Sequence, residues 1–153
     1  MTSRPRLLLL AAGLLLVGGL AGCDQGGVAD RSRGQAPLVS GLVVRPDSVN
    51  AARVPPQQVQ DSLAQIGLRL RVRATDPDGA IERVQFTIEP ASNPQGTATG
   101  TLQRESDSLF ARTLGLRVPV FRTEVYTVRV FAVDDDSLAS NQVLGQFQFV
   151  SAP

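Results

Sequence analysis

Residues 68–88 read LRLRVRATDPDGAIERVQFTI. In the first third the side chains alternate without a break. Leu68, Leu70 and Val72 share one parity, and Arg69, Arg71 and Arg73 share the other. A period of two places the leucines and valine on one face of a strand and the arginines on the opposite face. Thr75-Asp76-Pro77-Asp78-Gly79 then breaks the strand with turn-forming residues. From residue 81 to 89 alternation resumes, with Val84, Phe86 and Ile88 on one parity and Arg83, Gln85 and Thr87 on the other. Two half-buried strands joined by a tight acidic turn are the result, and they set the fold class as antiparallel β.

The rest of the chain continues this pattern. Residues 38–44 form a short apolar segment closed by Arg45-Pro46-Asp47. Residues 50–65, with Pro55-Pro56, read as an irregular crossing. A short helix over 57–65 is one expectation there, because Val59, Leu63 and Ile66 have helical spacing. Residues 90–100 read as a loop, 101–104 as a short edge strand, 109–116 as a strand, and 118–122 as a connector interrupted by Pro119. Residues 125–133 place Tyr126, Val128, Val130 and Ala132 on one face. Residues 143–150 place Phe147 and Phe149 opposite Gln146 and Gln148. About seven short strands at this spacing predict a two-sheet antiparallel sandwich over residues 37–153.

Composition removes several functions. All fifteen basic residues are Arg; the 153-residue chain has no His, no Lys, no Trp and one Cys. Ser-His, Cys-His and Ser-Lys nucleophiles are therefore excluded. So are zinc sites built on His, a thiolate cage and an intrachain disulfide. The near-neutral charge lacks the basic excess of a nucleic-acid binder. A paired-carboxylate glycosidase needs two carboxyls roughly 5–9.5 Å apart in a substrate cleft. The Asp loops supply carboxyls, but so small an all-β domain offers no evident cleft, and the reading is non-catalytic.

The N-terminus carries an address. Arg4 and Arg6 precede an apolar run, LLLLAAGLLLVGGL, over residues 7–20. A transmembrane helix needs about 20 such residues, whereas a signal-peptide core is shorter. The run ends Leu20-Ala21-Gly22-Cys23, which resembles the lipobox of bacterial lipoproteins at all four positions. The resemblance implies diacylglycerol on the Cys23 thiol, cleavage between Gly22 and Cys23, and a further acyl chain such as palmitate on the new N-terminus. Two chains suffice for stable anchoring. The protein is then expected in the bacterial cell envelope, held to a membrane with its domain outside the cytoplasm. Asp24 resembles an inner-membrane retention signal of enteric bacteria and leaves the leaflet open. Residues 1–22 form the leader. Cys23 and the polar, Gly-rich, aperiodic residues 24–36 form a flexible tether, and the thirteen residues after Cys23 are expected to span about 20 Å root-mean-square. Without the leader thirteen arginines face fourteen acids. From that balance no polybasic membrane patch is expected.

The alternation also carries a family likeness. Residues 68–88, with Ala-x-Asp-x-Asp-Gly followed by Val-x-Phe, resemble the start of bacterial immunoglobulin-like domains. Residues 126–134, YTVRVFAVD, are similar to a late strand of that fold, shared with fibronectin type III and cadherin-like modules. The resemblance implies an immunoglobulin-like sandwich with Tyr126 at the tyrosine corner. It implies little about function.

Three surfaces emerge as candidates. Asp76 and Asp78 follow one strand, and Asp134, Asp135 and Asp136 follow another; a sandwich brings those loops to one end. Such hard oxygen ligands suit calcium, and similar loops in cadherin-like modules bind it. Read plainly, both runs are good solvated turns. By parity Arg83, Gln85, Thr87, Arg129, Phe131, Gln146 and Gln148 share an outer face. An aromatic amid Gln and Arg resembles a contact surface for an envelope protein or a glycan, unless a loop covers Phe131 or a bulge reverses the parity. Arg69, Arg71 and Arg73 read as a solvated face that discourages edge pairing, with anionic polysaccharide or lipid headgroups as the alternative contact.

Overall fold

The computed structural model describes residues 34–93 and 97–152. The leader, Cys23 and the tether up to residue 33 lie outside the described residues. Nine strands follow in chain order. They are β1 (Leu38–Arg45), β2 (Ser48–Asn50), β3 (Val59–Gln60), β4 (Leu63–Thr75), β5 (Ile81–Pro90), β6 (Ala98–Ser106), β7 (Leu109–Pro119), β8 (Glu124–Asp134) and β9 (Val143–Val150). Two single-turn 3-10 helices, Ala51–Arg53 and Pro56–Gln58, lie between β2 and β3. Among the described residues there is no α-helix.

The strands join in the order β1-β4-β7-β6-β5-β8-β9-β2, with β3 paired to β4. Every pairing is antiparallel except β2 with β9, which is parallel. The sheet is nearly closed into a barrel. Its corner is β6. Residues Ala98–Leu102 pair with β5, and from Gln103 onward the strand pairs with β7. One limb is thus β1-β4-β7 and the other β5-β8-β9-β2.

The inward parity of both limbs fills the interior. Leu68, Leu70 and Val72 from β4 are fully buried, as are Val84, Val128, Val130, Phe147 and Phe149 from the other limb. Phe86, Ile88, Tyr126 and Ala132 join them, with the rings of Tyr126 and Phe147 5.7 Å apart. Burying each of the larger aliphatic or aromatic groups contributes about 1.5–3 kcal/mol. Gly100 stands opposite Phe86, and a Cβ there would lie 2.9 Å from the Phe86 ring, so the glycine leaves the room the ring occupies.

Closure rests on β1. Gly41, at φ +64°, sits in a bulge between Ser40 and Val43. The bulge offsets the extra residue and returns Val44 to the core. Across the gap, Asn141 uses its side-chain amide as a strand would use its backbone. Its Oδ1 accepts from the Val39 amide and its Nδ2 donates to the Val39 carbonyl, both at 2.9 Å. The chain then crosses at the cis Arg45–Pro46 bond to place β2 on the other limb.

Several expectations change. The 57–65 segment is not helical: Pro56–Gln58 makes one 3-10 turn and extended chain resumes at Val59. The spacing of Val59, Leu63 and Ile66 mimicked a helix because β3 and β4 meet in a hairpin between them, with Asp61 and Ser62 at positive φ. The 101–104 segment is not a short edge strand; it is the middle of β6, hydrogen-bonded on both sides in turn. The 118–122 connector starts later, since β7 pairs with β4 through Pro119. The arginine row guards no edge, because β4 lies between β1 and β7.

Replacing Asn141 with Ala leaves both Val39 backbone groups unpaired beside the core. A loss of about 1–3 kcal/mol is expected, read as a lower urea midpoint.

Candidate functional site

The two acidic loops meet. The Asp135 amide donates to the Ala80 carbonyl at 3.1 Å, and Asp135 Oδ1 accepts from the Ala80 amide at 3.1 Å. The other carboxylates also hold backbone. Asp76 Oδ1 accepts from the Asp78 and Gly79 amides at 3.3 Å, which folds the turn on itself. Asp78 Oδ2 accepts from the Gln35 amide at 2.7 Å and so fixes the chain entering β1. Asp134 is turned inward, only 2% exposed, with Oδ1 accepting from the Leu138 amide at 2.7 Å.

Two glycines let these groups crowd. A Cβ on Gly79 would stand 2.7 Å from Asp135 Oδ1 and 3.0 Å from Asp76 Oδ2. One on Gly34 would stand 3.0 Å from Asp136 Oδ2 and 3.2 Å from Asp78 Oδ2. The acids therefore gather in two pairs, Asp76 with Asp135 and Asp78 with Asp136. Among the described residues none of the five is in an ion pair. Asp76 Oδ2 is buried with no hydrogen-bond partner. No three acidic side chains among the described residues are grouped to hold a metal ion.

The second candidate is the outer face of β5, β8 and β9. Register brings the parity-selected residues together. Gln85 is opposite Phe131, Thr87 opposite Arg129, and Thr127 opposite Gln146. Gln148 lies further along β9, opposite Val125. Arg83 stands at the end of this regular stretch, opposite Val133 and just before the bulge towards Ile81, and pairs with its neighbour Glu82 at 2.6 Å. Arg129 reaches Glu89 at 3.4 Å. Phe131 is half-buried, and no parity reversal occurs between it and Gln85.

Two exposed apolar residues escaped the sequence reading. Leu144, 62% exposed, lies opposite Arg129 and diagonal to Phe131. Its parity with Gln146 and Gln148 was the available signal. Phe121, 73% exposed, projects from the turn after β7. No period governs a turn, so nothing in the sequence marked it.

At that same pole lies a buried charge. The Glu124 side chain is 4% exposed. It accepts from the Ser92 amide at 3.0 Å and from the Ser92 hydroxyl, and Arg122 Nη2 lies 3.0 Å from Oε2. Burial pushes the Glu124 carboxyl up; the Ser92 hydroxyl and amide, the Arg122 guanidinium and the Val125 amide outweigh it, and the net pKa is lowered. Burial raises the Tyr126 hydroxyl, and the Glu124 charge raises it further against the pull of Arg122.

The consequence for stability has a definite sign. A lowered carboxyl pKa contributes stability above the unfolded-state value, about 4.3, and that contribution is lost as pH falls through the folded-state value. Replacing Glu124 with Gln is expected to cost about 1–3 kcal/mol at pH 7. The gap from wild type should shrink as denaturation is repeated below about pH 4.3.

The sequence matches no protein-family model and no curated protein. Among solved structures, a crystal structure of an engineered protein is similar over 74% of this chain, at 13% identity and a TM-score of 0.39. This chain spans 20% of that protein's length.

Proposed function

We propose that the chain is a bacterial envelope lipoprotein, anchored by diacylglycerol on Cys23. On this reading its domain is a non-catalytic immunoglobulin-like sandwich that contacts another envelope protein. The lipobox supports the anchor. The strand order supports this reading: β1-β4-β7 and β5-β8-β9-β2 would be its two layers, with β6 shared between them and β1 and β2 paired to different ones.

One observation carries the contact surface. The β5-β8-β9 face is open, and it places exposed Leu144 beside half-buried Phe131 within a field of Gln, Thr and Arg. An apolar centre with a polar rim is the usual anatomy of a protein contact. The same Gln and Arg groups also suit sugar hydroxyls, which makes a carbohydrate-binding module the alternative. A passive spacer would need neither.

The test is capture from native envelopes with the mature chain as bait, wild type against a Leu144→Asp, Phe131→Ser variant. A discrete envelope protein retained by wild type and lost with the variant, before and after glycan digestion, is the expected result. Loss on glycan digestion favours the carbohydrate module. Identical retention by both baits removes this face from the account.

Calcium at the acidic loops is a second reading, favoured by Asp76 Oδ2. A buried carboxylate oxygen without a partner is costly, and a cation would satisfy it. Asp76 and Asp135, the pair that meets over Gly79, would supply two carboxylates and water the remaining oxygens, with Asp78 and Asp136 a separate pair at Gly34 and Asp134 committed to Leu138. Extracellular sites bind at about 0.1–1 mM, so about 10 mM calcium adds about 1.5–3 kcal/mol. The melting temperature should then rise several degrees over the same sample in chelator. An unchanged melt returns the loops to a purely structural role.

A further inference from the structure

The arginines of β4 are joined by others on the same face. Arg45 lies opposite Arg69 across the β1–β4 pair, and Arg117 lies on β7 opposite Gln65. Arg45, Arg69, Arg71, Arg73 and Arg117 are all exposed. Their one acidic partner among the described residues is Glu105, 2.7 Å from Arg69. Arg45, Arg71, Arg73 and Arg117 make no ion pair there. The chain's overall charge balance conceals this, because its acids lie mainly in loops and on the other limb.

Folding asks for polar side chains at the outer positions of β4, but not for five arginines on one face. Like charges directly opposite on neighbouring strands are destabilising, and β4 has no free edge to protect. The face is also partly apolar. Leu38 is 57% exposed and Val43 is 42% exposed, and both stand on β1 beside the arginine row. The β1 bulge opens a shallow hollow of about 170 Å³ lined by Gly41, Val43, Arg71, Arg73 and Leu109. Two guanidiniums with apolar walls suit a phosphate that carries a hydrocarbon chain.

We propose that the outer face of the β1-β4-β7 limb docks on anionic phospholipid headgroups of the anchoring membrane. The hollow at Gly41 takes a headgroup phosphate between Arg71 and Arg73, while Leu38 and Val43 enter the interface. A polysaccharide polyanion would meet the arginines but has no use for the exposed leucine and valine. Residues 34–37 lead into β1, an edge strand of this limb, so an anchor ahead of them would join the domain beside this face. That last step rests on the lipoprotein reading; the charge and apolar arguments do not.

The test uses the mature chain, residues 23–153, with Cys23→Ser so that no acyl chain contributes. It is sedimented with phosphatidylcholine vesicles, with and without phosphatidylglycerol. Binding is expected only with phosphatidylglycerol, and it should weaken as salt is raised. R69Q/R71Q/R73Q should lose about a hundred-fold in affinity, at about five-fold per arginine. R45Q/R117Q, on the flanking strands, should lose about twenty-five-fold by the same increment, which covers the case that the triple variant fails to fold. Equal binding to both vesicles, no binding, or undiminished binding by folded variants overturns the proposal. So does binding to an anionic polysaccharide without binding to vesicles. Lipidation is read separately from the mass of the natural protein, so a negative vesicle result leaves that reading intact.

Discussion

The period of two in β4 is the constraint on which the rest of the molecule depends. Leu68, Leu70 and Val72 cannot be buried in the interior without Arg69, Arg71 and Arg73 standing on the opposite face. A one-residue slip in register would drive three guanidiniums into the core, each far more costly than a lost leucine contact. Register is therefore pinned by charge as firmly as by hydrophobic burial. Because β4 is held on both sides, by β1 and β7, its register passes to both neighbours. The core side and the surface side of that limb are two consequences of one pattern.

A different device joins the limbs. At residues 102–103 β6 exchanges one neighbour for the other, so a single strand belongs to both limbs. On the far side the gap is bridged by Asn141 and by the packing of Leu42 and Val44 over Gly145. A continuous ladder would have closed the barrel there. A side-chain amide holding one backbone position leaves β1 with an outer edge and an outer face both accessible. It also leaves the β1 bulge free to open a hollow beside the arginines.

Strand parity was legible in the sequence wherever it was strict. The inward residues of β4, β5, β8 and β9 follow directly from alternation, and so does the joint face of Gln85, Phe131, Arg129 and Gln146. Elements that serve two partners were not legible. The outward and inward positions of β6 are mixed because its environment changes midway, so Thr101–Arg104 looked like a short edge. Pro119 looked like an interruption, but as the last residue of β7 it removes only one donor from the end of the ladder. The hairpin between β3 and β4 was hidden because Val59, Leu63 and Ile66 match a helical period by coincidence across a turn. Glu124 was hidden for another reason: its partners Ser92 and Arg122 come from different loops, and only the tertiary fold brings Ser92 to it.

Net charge was the least informative quantity. Thirteen arginines and fourteen acids nearly cancel over the chain after Gly22, yet they are sorted in space. Five arginines stand on one face, and four exposed or partly exposed aspartates cluster at the end where the chain enters β1. Surface potentials decay within about a Debye length, about 8 Å at physiological salt. That is much shorter than a thirteen-residue strand, which extends roughly 40 Å. The acidic loops begin at Asp76, three residues or about 10 Å beyond Arg73, so they attenuate that end of the row and leave Arg45, Arg69 and Arg117 to act nearly independently. A chain that is neutral in total can present a basic face to a membrane and an acidic end to a cation. Which does what is set by strand parity and loop position, not by the total.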